Sequence, residues 1–426
     1  MKKVTVLKGR LLFLLGIALF AAACAPPAAE LQWYRGSLHA HSYWSDGDDF
    51  PEMAVEWYKS HGYHFLALTD HDILAEGGKW VKVDELKGGM VSLEKYRQRF
   101  GADWIEERTV ADTLQIRLKT FAEYRPLYEE EGRFILLVGE EISDGFEEIP
   151  IHINAYNIVE LIPRQGGASV VETMRNNIRA VREQRQRTGQ PMITHLNHPN
   201  WQRSVTAEEL LEVPEMDFFE IYNGDDTYGD SLQTSQDRLW DIVLTKRLAE
   251  QKASPLYGIG VDDTHGYHEM SIDKSNPGRC WVMVQADRLT PEAVIAAMEA
   301  GDLYASTGVD LKAIRIEKDQ FTVEIEGEEG VEYTTCFIGT RRGYDPGSEP
   351  VVDQDGQPLR LTRRYSPSIG EVLAEVKGTS AEYRFAGDEI YVRAKVISDK
   401  LMPNPCVEGE VEVAWTQPVV VAPAGK

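Results

Sequence analysis

The chain has 426 residues, 69 of them acidic against 45 basic, for a formal net charge of −24; 42% are hydrophobic and 27% charged. The length exceeds one typical domain, and the balance excludes a disordered chain. So acidic a protein is also a poor match for a phosphate backbone, which needs a basic surface, and nucleic acid is not an expected partner.

In chain order, the first apolar element is LLFLLGIALFAAA, residues 11–23, preceded by the basic MKK, Lys8 and Arg10. It is too short to span a bilayer as a mature helix and reads as a signal peptide over residues 1–23. Cys24 follows three alanines, and APPAAE begins a tether over residues 24–32, so the segment reads as a lipoprotein signal with Cys24 as the lipidated residue. Ala21 stands where a leucine is usual, which leaves cleavage by ordinary signal peptidase as the alternative. Either way the expected location is outside the cytoplasm. The first choice is the cell envelope, lipid-anchored to a membrane and facing periplasm or exterior.

From residue 33 to about 310, apolar runs alternate with helical stretches: YHFLALTD, FILLVGEE, IHINAYN, a helix around VVETMRNNIRAVREQRQ, then PMITHLNHP, MDFFEIYN and PLYGIGVDD. That alternation predicts parallel strands joined by helical crossovers in a barrel-like α/β domain, with chemistry at the strand ends. Residues 76–130 read as a mostly helical insertion able to cover one side of the mouth. After Gly308 the pattern becomes alternating apolar and polar, as in EIYVRAKVIS and EVEVAWTQPVVV. This predicts an antiparallel β-sandwich over residues 311–426. No histidine lies in that region, so metal chemistry belongs upstream. Beyond Cys24 the cysteines are Cys280, Cys336 and Cys406; export permits a disulfide, with Cys336 to Cys406 the expected pair, but an odd count argues against a disulfide scaffold.

Ligand-type residues gather at the ends of these runs. GSLHAHSYWSDGDD places His39 and His41 two apart, hence on one face of an extended segment, with Asp46 close behind. ALTDHD adds His71, GEEIS adds Glu140 and Glu141, IHINAYN adds His152, THLNHPN adds His195 and His198, and GVDDTH adds Asp263 and His265. Seven of the ten histidines fall in this set, and His268 lies three residues past it. Mixed nitrogen and oxygen donors suit zinc, manganese or iron.

In order and spacing the segments LHAHSYWSDG, ALTDHD, GEEIS, IHINAY, NHP and DDTH resemble the PHP (polymerase and histidinol phosphatase) superfamily of metal-dependent phosphoesterases. EIYNG, GRCWVMV, GDLYASTG and AWTQP resemble in particular its branch of carbaryl-hydrolase-like metallohydrolases. The resemblance covers roughly residues 36–310. It implies an α/β fold, a distorted (β/α)7 PHP barrel over residues 33–310, followed here by the small antiparallel β-sandwich. It further implies two to three divalent ions (Zn, Mn or Fe). His39, His41 and Asp263 would hold one; Glu141 would bridge to a second held by His152 and His198; Asp46, His71 and His265 would hold the third. Glu141, Asp263 and His265 carry the implied catalytic roles. The family pattern prefers Glu141 over Glu140, His198 over His195, and Asp263 over Asp262. Filled with three ions, such a site is locally about +3 despite the acidic surface.

Arg279 and Arg203 are candidates to orient a phosphate, or else members of surface ion pairs, and Trp44 is a candidate pocket wall or a core residue. Glu220, Tyr222 and Asn223 read as organisers of the backbone, and His61, His64 and His268 as structural. The implied function is hydrolysis of small phosphomonoesters or phosphodiesters by a metal-activated water. Its alternatives are hydrolysis of carbamate, ester or amide bonds, and a non-catalytic, metal-dependent envelope binding lipoprotein. The amidohydrolase fold also opens on an HxH, but it recruits a lysine where FILLVGEEIS offers glutamate.

Overall fold

The computed structural model describes residues 31–225 and 232–422, so the leader and Cys24 lie outside the described residues. From Leu31 onward the chain forms one compact unit. Nine strands lead to the site and away from it: β1 (Gln32–Ser37), β2 (Phe65–Leu68), β3 (Ile135–Phe146), β4 (Ile149–Tyr156), β5 (Ile193–Leu196), β6 (Phe218–Asn223), β7 (Tyr257–Val261), β8 (Trp281–Ala286) and β9 (Leu303–Ser306). Seven more follow: β10 (Leu311–Ile316), β11 (Gln320–Ile325), β12 (Tyr333–Arg341), β13 (Glu371–Lys377), β14 (Ser380–Arg384), β15 (Glu389–Leu401) and β16 (Val411–Thr416).

One large mixed sheet runs β7-β6-β5-β4-β3-β2-β1-β8-β9-β16-β15-β12-β13. The pairs β1·β2, β2·β3, β5·β6 and β6·β7 are parallel, as expected from the alternation. β4, however, is antiparallel to both neighbours. Only two residues separate β3 from β4, and a parallel crossover needs about a dozen. Glu147 turns that hairpin with φ 54. The expected barrel does not close: β7 has no ladder with β1, and a single parallel bridge, Ala40 to Thr264, spans the gap. That bridge matters for function, because it sets the HxH beside the DDTH segment.

Burial explains the elements. FLAL of β2 is buried along its whole length, the pattern of a strand covered on both faces. Helix Val170–Thr188 starts at Ser169, whose hydroxyl accepts from the Glu172 N–H, and stops at Gly189 with φ 73, where a side chain would be strained. Its Met174 and Ile178 pack with Ile153, Leu196, Phe219 and Trp240, each such side chain worth about 2 kcal/mol of burial.

The C-terminal region is not a separate sandwich. β16, β15, β12 and β13 continue the main sheet through β9·β16, and a second layer, β10-β11-β14, packs across them. Phe321 and Val323 of β11 share a core with Phe337, Val392 and Val396 of the main sheet. Cys336 and Cys406 are both buried and are not joined to each other, so the expected disulfide is absent. The insertion, expected to be mostly helical, also carries a three-stranded antiparallel sheet, Trp80–Lys82, Glu107–Val110 and Thr113–Arg117.

Candidate metal centre

The segment after β1 stays extended, so His39 and His41 present fully buried imidazoles with ring centroids 5.2 Å apart. Asp70, at the end of β2, folds the next loop: its carboxylate accepts from the Ser42 and Ser45 N–H groups and from both hydroxyls, at 2.7–2.9 Å. This turn swings Asp46 back toward His41. The parallel bridge His71 to Glu141 continues the β2·β3 register past the strand ends and brings those two side chains together. Asp72, His198 and Asp263 all have positive φ, at 52, 22 and 50°. Left-handed backbone at non-glycine residues costs of order 1 kcal/mol each and is tolerated where surroundings enforce it.

Glu141 sits at the middle, and its two oxygens face two different groups. Oε2 lies 3.1 Å from His39 Nε2, 3.3 Å from His41 Nε2 and 3.1 Å from His71 Nδ1. Oε1 lies 2.8 Å from His152 Nδ1 and 3.5 Å from His198 Nε2, and accepts from Asn197 Nδ2. Asp263 Oδ1 closes the first group, 3.2 Å from His39 Nε2 and 3.1 Å from His41 Nε2. A third group surrounds Asp46 Oδ1, with His71 Nε2 at 3.5 Å, His265 Nε2 at 3.2 Å and His41 Nδ1 at 3.9 Å. Donor atoms in the sets His39–His41–Glu141–Asp263, His71–Glu141–His152 and His41–Asp46–His71–His265 are close enough to hold a metal ion. His198 Nδ1 is buried without a partner, as suits a ring aimed by its other nitrogen.

Outer partners fix the tautomers. Glu220 Oε1 accepts from His39 Nδ1 at 2.7 Å, which leaves Nε2 of a neutral His39 with its lone pair toward Glu141 and Asp263. The same oxygen accepts from His195 Nε2, while Oε2 accepts from the His198 N–H and Asn223 Nδ2. Asn223 also donates to Asp263 Oδ2. Glu220 thus holds the His198 backbone and orients the His39 ring as well. A fourth donor group, His39–His195–Glu220, is this same contact set. His195 faces Glu220 and Tyr156 rather than Glu141. Glu140 turns away to accept from the Ile162 N–H, and Asp262 accepts from the N–H groups of Gly278, Arg279 and Cys280.

Charge in the cluster is mutually supported. Burial pushes His39 and His41 down, yet Asp263 and Glu141 outweigh it, so His39 stands well above its ordinary pKa and His41 rises to about 10. Glu141 and Asp263 are held well below the carboxylate range by the imidazoles despite burial. Burial, together with the charge of His41, keeps His71 at about 4. A chain without an ion thus supplies the positive charge its buried acids require as protons on imidazoles. The donor set therefore fits a divalent cation, which would take the place of those protons.

The site opens into a cavity of about 400 Å³ lined by Asp46, His71, Lys87, Glu141, His152, His198, Trp201, Asp225, Asp263, His265 and Ser275. None of the three expected substrate contacts lines it. Trp44 is buried, its indole N–H donating to the Lys119 carbonyl, so it is core and not wall. Arg279 is buried too, and its guanidinium donates to the carbonyls of Gly224 and Ser271. Arg203 follows Gln202 in a short left-handed stretch beside the rim without lining the cavity. Trp201 takes the expected wall position, its ring centroid 5.4 Å from His152 and 5.1 Å from His198. Among the described residues Lys87 is the sole lysine or arginine lining the cavity, and the insertion supplies it.

No protein-family model matches the chain, and no curated protein matches it. Among solved structures it is similar to a two-domain protein from Bacteroides vulgatus containing a predicted PHP-like metal-dependent phosphoesterase, 13% identical, covering 91% of this chain and 96% of the other, with TM-score 0.39. PsfC from Pseudomonas syringae is 14% identical over 63% of this chain and 88% of its own, with TM-score 0.31. An amidohydrolase from Chromobacterium violaceum, with bound sulfate and no metal, is 14% identical over 63% of this chain and 96% of its own, with TM-score 0.29. Likenesses this distant assign no activity to the chain.

Proposed function

We propose that the protein is a metal-dependent phosphoesterase that hydrolyses phosphomonoesters or phosphodiesters at this centre. The observation that carries the reading is Glu141, whose oxygens address two separate imidazole groups, the arrangement of a carboxylate shared between neighbouring ions. Two or three bound divalent ions (Zn, Mn or Fe) would supply Lewis acidity toward a phosphoryl oxygen and lower the pKa of an attacking water.

The chain's own residues divide the work. His39, His41 and Asp263 would hold one ion, His152 and His198 a second, with Glu141 between them, and Asp46, His71 and His265 a third. Glu220 keeps the His39 ring turned by its Nδ1–H, and Asn223 steadies Asp263. Trp201 packs its ring beside His152 and His198 as a wall of the cavity. Lys87 brings a positive charge to the rim, 3.4 Å from Asp46 Oδ2.

Turnover of p-nitrophenyl phosphate and bis-p-nitrophenyl phosphate, with and without added manganese or zinc, tests the reading. Expected is metal-dependent hydrolysis of at least one. No hydrolysis by fully metallated protein would overturn it, and cleavage of an aryl carbamate instead would move the chemistry to carbon. If Glu141→Ala removes metal and no turnover is ever found, the centre belongs to a binding protein. We further propose that residues 33–310 carry this chemistry, with 311–426 as an accessory region, and that the chain is exported and anchored through Cys24. The apolar run before that cysteine supports the anchor. Palmitate labelling in cells, abolished by Cys24→Ser, checks it.

A further inference from the structure

A second groove, of about 530 Å³, adjoins the cavity over the metal centre and shares Asp46 and Lys87 with it as common wall. The insertion builds its far side from Lys79, Trp80, Lys82 and Arg108. Four cations in one groove are unusual for a chain with 69 acidic residues against 45 basic. Lys82 is matched by Glu85 at 2.5 Å, and Lys87 donates to the Asp46 carbonyl. The other two meet no carboxylate among the described residues. Lys79 donates to the Trp44 carbonyl, and Arg108 Nε donates to Gln115 Oε1 at 2.8 Å. The Arg108 guanidinium lies 4.0 Å over the Trp80 ring. Scarcity of acids does not explain this, since Arg97, Arg99 and Arg117 on the same insertion pair with Glu107, Glu56, and Glu106 plus Glu123.

We propose that this groove seats the part of the substrate beyond the scissile bond, and that this part is a ring carrying a second anionic group. The proposal rests on the phosphoesterase reading for what occupies the neighbouring centre. A phosphoester held there extends past Lys87 into the groove, where its ring meets Trp80 and its second anion meets Lys79 and Arg108. Lys79 and Arg108 carry neutral hydrogen-bond partners and no ion pair among the described residues, so receiving the anion breaks no carboxylate contact and the contact adds affinity as well as selectivity.

The test compares phenylphosphonate with 4-carboxyphenylphosphonate, non-hydrolysable ligands differing by one anion, by calorimetric titration of manganese-loaded protein at low salt. In the wild type the carboxylated ligand binds about tenfold tighter, an advantage that added salt erodes. Arg108→Gln, at an exposed position, loses about threefold of that advantage, and Lys79→Gln with Arg108→Gln loses all of it. Phenylphosphonate affinity changes by less than about twofold in either variant. Equal affinity for the two ligands in the wild type, or an advantage kept by the double variant, overturns the groove. Hydrolysis of phenyl phosphate and 4-carboxyphenyl phosphate is followed in parallel. No turnover of either overturns the reaction while the phosphonate comparison still decides the groove.

Discussion

Asp241 and Glu141 are both buried carboxylates, at 4% and 1% exposure, and they meet the cost of leaving water with different partners. Asp241, on helix Gln236–Lys246, receives a two-pronged contact from Arg393, with Nε to Oδ1 and Nη2 to Oδ2 both at 2.8 Å, and the Tyr391 hydroxyl besides. Nearby, Asp237 takes Lys395 at 2.6 Å. This seam between helix and main sheet is charge-complete from the chain's own permanent cations. Around Glu141 no lysine or arginine approaches among the described residues; imidazoles and an amide surround it instead. Imidazoles exchange a proton for a metal ion, and guanidinium groups cannot. The first arrangement fixes structure, whereas the second leaves a place for a cation from outside.

Breaking the first arrangement has the largest expected effect. Arg393→Met strands Asp241 in the core and costs about 3–5 kcal/mol. Thermal unfolding measures the loss, and metal content of the remaining folded protein stays unchanged. A variant that loses metal as well would deny that the two regions are independent.

Glu140 sharpens the contrast, being a buried carboxylate with neither kind of cation. Its Oε1 accepts one backbone N–H and its Oε2 has no partner, so burial pushes it up to about 8. The sign follows from linkage. Below about pH 4.5 the group is protonated folded and unfolded, and contributes no slope. Between about 4.5 and 8 the unfolded chain ionises while the folded chain keeps its proton, so stability falls as pH rises by up to about 1.4 kcal/mol per unit. Above about 8 the slope ends. Glu140→Gln removes this slope: melting temperatures of variant and wild type, both with chelator, coincide near pH 4.5 and separate toward pH 8 in favour of the variant. Parallel curves across that range would show Glu140 to be ionised in the fold.

Glu141→Gln tests the second arrangement directly. It keeps the shape and removes the charge that both imidazole groups face, so bound metal drops and turnover falls by at least about a hundredfold, the upper end of what loss of an outer partner costs. Metal analysis beside the phosphate assays checks both. Full metal content in the variant would mean the imidazoles alone suffice.

Much of this centre was legible before folding because ligand-type residues at strand ends have few other reasons to recur. The HxH, DHD, EEIS and DDTH segments all arrive at one place, where Glu141, His198 and Asp263 face the cluster while Glu140, His195 and Asp262 make other contacts. What local pattern could not carry was pairing across the sheet. The runs FILLVGEE and IHINAYN look like two parallel strands, and only the two residues between β3 and β4 betray a hairpin. The fusion of β9 with β16 joins residues more than a hundred apart, which no local pattern records. Pocket walls failed for the same reason. Trp44 and Trp201 both sit near ligand-type residues in sequence, but Trp44 is drawn into the core of the insertion, and Lys87 reaches the rim through the fold of that insertion alone.

Glu220 offers the finest test of whether the imidazole region is tuned or merely assembled. Its Oε1 takes the His39 Nδ1–H, and its Oε2 takes the His198 N–H and the Asn223 amide. Glu220→Gln can keep the first contact, but its amide then confronts two donors with a third, so the His198 backbone and Asn223 must shift. His39 also loses the carboxylate that favours donation from Nδ1 and makes Nε2 more basic. Expected is a loss of about tenfold in metal affinity, read by chelator competition, with the fold intact by circular dichroism. Glu220→Ala, which removes every contact, should lose more. If Glu220→Gln binds metal as the wild type does, the orientation of His39 is set by packing against its neighbours, and the carboxylate serves the His198 backbone, His195 and Asn223.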